Sequence, residues 1–118
     1  MNRRVVVTGM GGISALGDNW QDIFNNLKKY QNCAIYMPEW EIFKGLRAKL
    51  GAPILDFVTP SHFPRKKIRG MSRVSLMATA ATENALTMAG LISDPILSSG
   101  ECGVAYGSST GGTQAVAD

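Results

Sequence analysis

Histidine is almost missing from this sequence: His62 is the only one in 118 residues. No chemistry that needs two imidazoles can therefore be assembled within the chain. Cysteine is nearly as scarce. Cys33 and Cys102 lie far apart, which fits neither a disulfide framework nor the paired spacing of a zinc site. Buried, reduced thiols are the expected state. As a nucleophile, either thiol would need a base, and His62 sits in a proline-flanked loop, SHFP. No apolar run approaches the roughly 18 residues of a membrane span. Residues 5–10, behind Arg3 and Arg4, are too short and too broken by glycine for a signal peptide. A cytoplasmic protein is expected. Internal repeats and low-complexity tracts are also lacking, which excludes solenoids and disordered linkers.

What is present fits one modest α/β domain with a core of its own. Hydrophobic residues make up 45% and charged residues 18%, a balance that belongs to globular rather than disordered chains. The organising stretch is residues 3–17, RRVVVTGMGGISALG. Its three valines predict a buried strand. Gly9, Gly11 and Gly12 then predict a tight turn. Trp20, Ile23, Phe24 and Leu27 follow at i, i+3, i+4 and i+7, one apolar helix face expected to pack on a sheet. Asp18 or Asn19 can cap that helix, with Gln21 or Asp22 completing a capping box.

Residues 31–60 are irregular, punctuated by Pro38, Pro53 and Pro60. Residues 37–43 predict a loop with one helical turn, and residues 47–53 a short edge strand. A second helix is expected over about residues 72–89. Val74, Met77, Ala78, Ala81, Ala85, Met88 and Ala89 form its inner stripe, Gly90 its C-terminal stop, and Asp94–Pro95 the next turn. The alanines permit a close approach by another element. Residues 101–107, ECGVAYG, predict a second buried strand. After the turn GSSTGG (107–112), residues 111–118 read as the start of a helix too short to stand alone. The chain reads as one cut inside an element, so that apolar surface would be exposed and self-association is expected in isolation.

Two motifs invite a functional reading. A dinucleotide fingerprint needs G-x-G-x-x-G running into a helix, with an acid about 20 positions on. Here Ser14 takes the third glycine position and the helix starts only near Trp20, too late to cradle a pyrophosphate. Nucleotide binding is disfavoured. The second feature is charge. Arg65, Lys66, Lys67, Arg69 and Arg73 place five of the twelve basic residues within nine positions. The rest of the chain then holds seven basic against nine acidic residues, so the net +3 is local to this cluster. Such a cluster is either a docking patch for an anionic partner or a solvated helix start. Nucleic acid fits poorly, because only Phe63 could stack on a base.

VVVTGMGGISALG resembles the opening strand of the β-ketoacyl-acyl-carrier-protein synthases, commonly V-V-V-T-G-x-G-x-x-S-x-x-G; Thr8, Gly9, Gly11, Ser14 and Gly17 match. GSSTGG resembles that family's G-S-x-x-G-G turn, in family order and at a family-like separation. KGLRAKLGAP and PRKKIRGMSRVSLMA further resemble a subgroup of aryl-polyene-type pigment pathways. The resemblance covers the whole chain as the N-terminal portion of the family's thiolase-like fold, residues 1–118 forming one fragment of a ketosynthase domain. It implies decarboxylative Claisen condensation of an acyl chain with a malonyl-carrier thioester, in fatty acid or polyene-type biosynthesis. It implies no metal, nucleotide or other cofactor. The family's Cys-His-His set lies beyond the matched portion, so the resemblance assigns no catalytic residue here, and the chain alone should be inactive. The implied partners are an acidic acyl carrier protein and a second subunit, identical or homologous. Arg65, Lys66 and Arg69 would dock the carrier, although Gly70 replaces a basic residue often found there. Thr110 would line the acyl pocket where many relatives carry a larger apolar group; without the resemblance it is simply a turn residue. Alternatives within the same fold are a catalytically silent, chain-length-factor-like partner and a purely structural or carrier-docking module.

Overall fold

The computed structural model describes residues 3–113. Helix α1 (Trp20–Lys28) forms where the apolar spacing predicts it. Asn19 is the cap: its Oδ1 accepts from the Asp22 amide at 3.0 Å, and its Nδ2 donates to the Asp22 carboxylate at 2.6 Å. Asp22 thus serves both the cap and the positive end of the helix dipole. Trp20 stacks on Phe24 with ring centroids 6.1 Å apart, and the Lys28 ammonium lies 4.9 Å over the Phe24 ring. The preceding turn is closed by two backbone bonds between Ser14 and Gly17, and Asn26 ties α1 back to it by donating to the Leu16 carbonyl at 2.6 Å.

Strands β1 (Ile35–Tyr36) and β2 (Leu50–Gly51) pair antiparallel, Ile35 opposite Gly51 and Tyr36 opposite Leu50. The expected edge strand is thus present but only two residues long. Between the strands, Pro38–Ile42 makes a single 3-10 turn, started by proline at its first position. A Cβ on Gly51 would come within 3.1 Å of Trp40, so the hairpin closes on that indole.

A one-turn helix, α2 (Arg65–Ile68), precedes the long helix α3 (Arg73–Met88). Its cap is Ser72, whose hydroxyl accepts from the Ser75 amide at 3.3 Å. Its end is a full Schellman motif: the Gly90 amide donates to Thr87, the Leu91 amide to Leu86, and Gly90 adopts φ +72°. The alanine face meets the first glycine turn. A Cβ on Gly9 would overlap the Ala85 carbonyl, and one on Gly11 the Ala81 carbonyl, so backbone lies directly on backbone. Asn84 adds a 3.0 Å bond to the Asp18 carbonyl, joining the start of α1 to α3. Asp94 accepts from Ile96 to cap a further 3-10 turn, Pro95–Ser98.

Two strand expectations are corrected. Residues 5–7 and 101–107 run without a ladder, and Val5, Val7 and Val104 are 95%, 80% and 81% exposed. A β-rich segment becomes a strand only when another backbone satisfies its amides, and no described residue does so here. The expected core is corrected for the same reason. Among the described residues only Ile23 and Ala80 are buried, and Phe24 and Leu27 of α1 have no sheet beneath them. The radius of gyration, 17.6 Å, exceeds the roughly 13.5 Å of a compact chain of this length. The helix expected over residues 111–118 falls mostly outside the described residues. No described helix is long and apolar enough to cross a membrane.

Candidate functional site

The basic cluster folds as a separate turn just before α3. Pro64 starts helix α2 (Arg65–Ile68), and Arg69 continues its helical backbone. At about 100° per residue, Arg65, Lys66 and Arg69 share one arc while Ile68 points away from it, half-buried. Lys67 stands on the other side. Arg65, Lys66, Lys67 and Arg69 are exposed, and none pairs with an acid among the described residues. The ion pair there is Lys49–Glu41, and the His62 ring contacts the Glu83 carboxylate. Arg73 is different from the other four. Its Nη2 donates to the Ile54 carbonyl at 2.7 Å and its guanidinium lies 5.6 Å from the Phe57 ring centre, so it binds α3 to residues 54–57. Among the described residues the cluster's unpaired charge is thus four cations, not five. Like charges on one turn repel by a few tenths of a kcal/mol per pair. Water and salt screen that repulsion until a partner displaces them.

The second glycine turn sits beside the same helix start. Ser108 Oγ accepts from the Gly111 amide at 2.9 Å, Gly111 adopts φ +61°, and a Cβ on Gly112 would overlap the Ser72 side chain. Thr110 lies at a bend in this turn and is exposed. Between residues 104–112 and α3 runs a groove of about 580 Å³, walled by Val74, Ala78, Leu86, Ile92, Val104 and Tyr106. The Tyr106 hydroxyl donates to the Ala78 carbonyl at 3.0 Å and lies 2.9 Å from Thr82 Oγ1, which fixes the groove's outer wall to the helix. Thr110 is not one of the groove's walls.

The thiols and the imidazole are not brought together. Cys33 lines a hollow with Ile13, Ile35 and Ile54, and Cys102 is exposed. His62 is engaged with Glu83, its Nε2 2.7 Å from the carboxylate. Among the described residues no three metal-ligating side chains cluster. Sequence spacing did not expose the Glu83 contact or the Tyr106 anchor. Those partners lie 21 and 24 residues away in sequence, beyond any local periodicity.

Residues 2–118 match the family described as β-ketoacyl synthase, N-terminal domain. The chain is 34% identical over 95 residues to Nodulation protein E of Rhizobium leguminosarum bv. trifolii, covering 80% of this chain and 23% of that protein. It is 28% identical over 116 residues to 3-oxoacyl-[acyl-carrier-protein] synthase 2 of Synechocystis sp., covering 98% and 27%. A crystal structure of a β-ketoacyl synthase from Burkholderia phymatum STM815 superimposes with a TM-score of 0.81 at 48% identity, over 92% of this chain and 26% of that one. The chain therefore spans about a quarter of the length of these relatives.

Proposed function

The chain belongs to the β-ketoacyl synthase family, matching its N-terminal domain and its thiolase-like fold, and on that premise we propose that it is the carrier-receiving portion of a decarboxylating condensing enzyme. The reaction joins an enzyme-bound acyl thioester to a malonyl-carrier thioester. Loss of carbon dioxide generates the carbanion, which attacks the acyl carbonyl, expels the enzyme thiolate and leaves a β-ketoacyl carrier two carbons longer. The nucleophilic cysteine and two histidines of that chemistry are supplied outside the N-terminal portion, so this portion alone is inactive. Arg65, Lys66 and Arg69 receive the acidic acyl carrier protein, and Thr110 borders the acyl chain, where its hydroxyl alters chain preference. A second subunit, identical or homologous, completes a dimer in the cytoplasm.

The observation that carries the docking reading is the arc of exposed cations on α2, unpaired among the described residues. Charged patches of this kind act mainly on encounter rate and fade with salt. In the protein as its gene encodes it, Lys66→Glu with Arg69→Glu should weaken binding of a holo acyl carrier protein by about tenfold or more at low salt. The loss should shrink as salt rises. Titration calorimetry at two salt concentrations checks this, and unchanged affinity would remove the docking reading.

A further inference from the structure

Few hydrogen bonds hold the cationic turn to the rest of the molecule. Among the described residues, every backbone hydrogen bond made by residues 60–71 is local: Phe63 to Pro60, Lys67 and Ile68 to Pro64, Arg69 to Arg65, and Met71 to Ile68. Helix α2 has four residues and no side-chain cap, so it has almost no intrinsic stability. Among the described residues, one side-chain hydrogen bond joins this segment to another element. It runs from His62 Nε2, two residues before Pro64, to Glu83 Oε1 on α3, at 2.7 Å. The His62 ring also meets Phe63 edge-on, centroids 5.0 Å apart.

We infer that His62 and Glu83 form a positioning pair that sets the orientation of the carrier-docking turn; the inference rests on the docking reading above. The side chains of the pair are 61% and 31% exposed, so it is worth at most about a fivefold shift in an equilibrium. That is too little to hold the fold together. It is enough to bias a four-residue turn that has few other anchors. A rigid arc of cations meets an acidic partner with its entropy cost already met, whereas a loose one must be ordered on binding.

The sign of one substitution separates this role from plain electrostatics. Glu83 is an anion close to a patch that attracts anions. If Coulomb forces alone mattered, Glu83→Ala would raise the local positive potential and tighten carrier binding. If the pair positions the turn, the same substitution loosens binding. Alanine suits a helix interior, so α3 is preserved.

The experiment compares the whole gene product with its Glu83→Ala, His62→Ala, double and Glu83→Gln variants, using a holo acyl carrier protein as ligand and then as the acyl-loaded substrate. Each alanine variant should bind two- to fivefold more weakly, with KM raised and kcat unchanged. The double variant should be no worse than either single one, and Glu83→Gln, which keeps an acceptor, should recover most of the loss. Equal or tighter binding by Glu83→Ala overturns the positioning role. The Lys66→Glu, Arg69→Glu variant runs alongside. If it binds normally, the docking reading and the positioning role fall together. If it binds weakly while Glu83→Ala does not, only the positioning role falls.

Discussion

The two glycine turns use the same residue for different physical ends. In residues 9–12 glycine is a matter of space. Gly9 and Gly11 lie on the α3 backbone so closely that any Cβ would enter a carbonyl oxygen. In residues 107–112 the demands are mixed. Gly107 faces open space, Gly111 is required by its left-handed backbone, and Gly112 alone is crowded, against the Ser72 side chain. The first turn is a packing seam. The second is a conformational corner that touches the helix at one point. A motif read as a string of glycines hides that distinction, because the letter is the same in both.

Substitutions can break or sharpen this contrast. Gly11→Ala should have the largest effect, about 3 kcal/mol or more of lost stability, because the obstacle is helix backbone that cannot rotate away. A loss below about 1 kcal/mol by urea denaturation of the whole gene product would mean that the seam is slack. Gly112→Ala should cost somewhat less, about 2–3 kcal/mol, because the Ser72 Cβ stands where the new methyl would go and a shift of the turn, unlike one of the helix, can relieve it. Adding Ser72→Gly, which removes that Cβ, should make the two losses less than additive, as expected for groups in contact. Gly107→Ala should be the smallest, within about 0.5 kcal/mol, because nothing stands where its methyl would go. A large loss at Gly107 would show that the corner is packed after all.

Local features of this fold were legible in the sequence. The helix capped by Asn19, the long helix from Ser72 to the stop at Gly90, and the turn begun by Asp94 all rest on side chains acting within a few residues. The valine run and ECGVAYG were legible as extended and apolar, but not as unpaired. A strand is a relation between two backbones, and spacing within one segment says nothing about the other. The site divides in the same way. That Arg65, Lys66 and Arg69 cluster is visible in the sequence, and their common arc follows once a helical turn is assumed. That Arg73 is taken out of the cluster by Ile54 and Phe57, and that His62 finds Glu83, depends on how the chain folds back over distances of about 20 residues.

The seam between the first turn and α3 has a consequence for how ordering begins. The groups at its closest approach are Gly9, Gly11, Ala81, Ala85, Ala89 and main chain, none of which has a side-chain torsion to freeze; Met88, whose Sδ accepts from the Met10 amide, lies at its edge. Burying a leucine or a methionine costs roughly 0.5–2 kcal/mol of rotamer entropy, whereas glycine and alanine cost almost none. The seam can therefore close on contact enthalpy and exclusion of water alone, while larger apolar groups such as Val5, Leu27 and Val104 are still exposed. It is the joint least dependent on what later covers the remaining surface. Native-state hydrogen exchange should accordingly find the slowest amides of this region in α3 between Ala81 and Ala89.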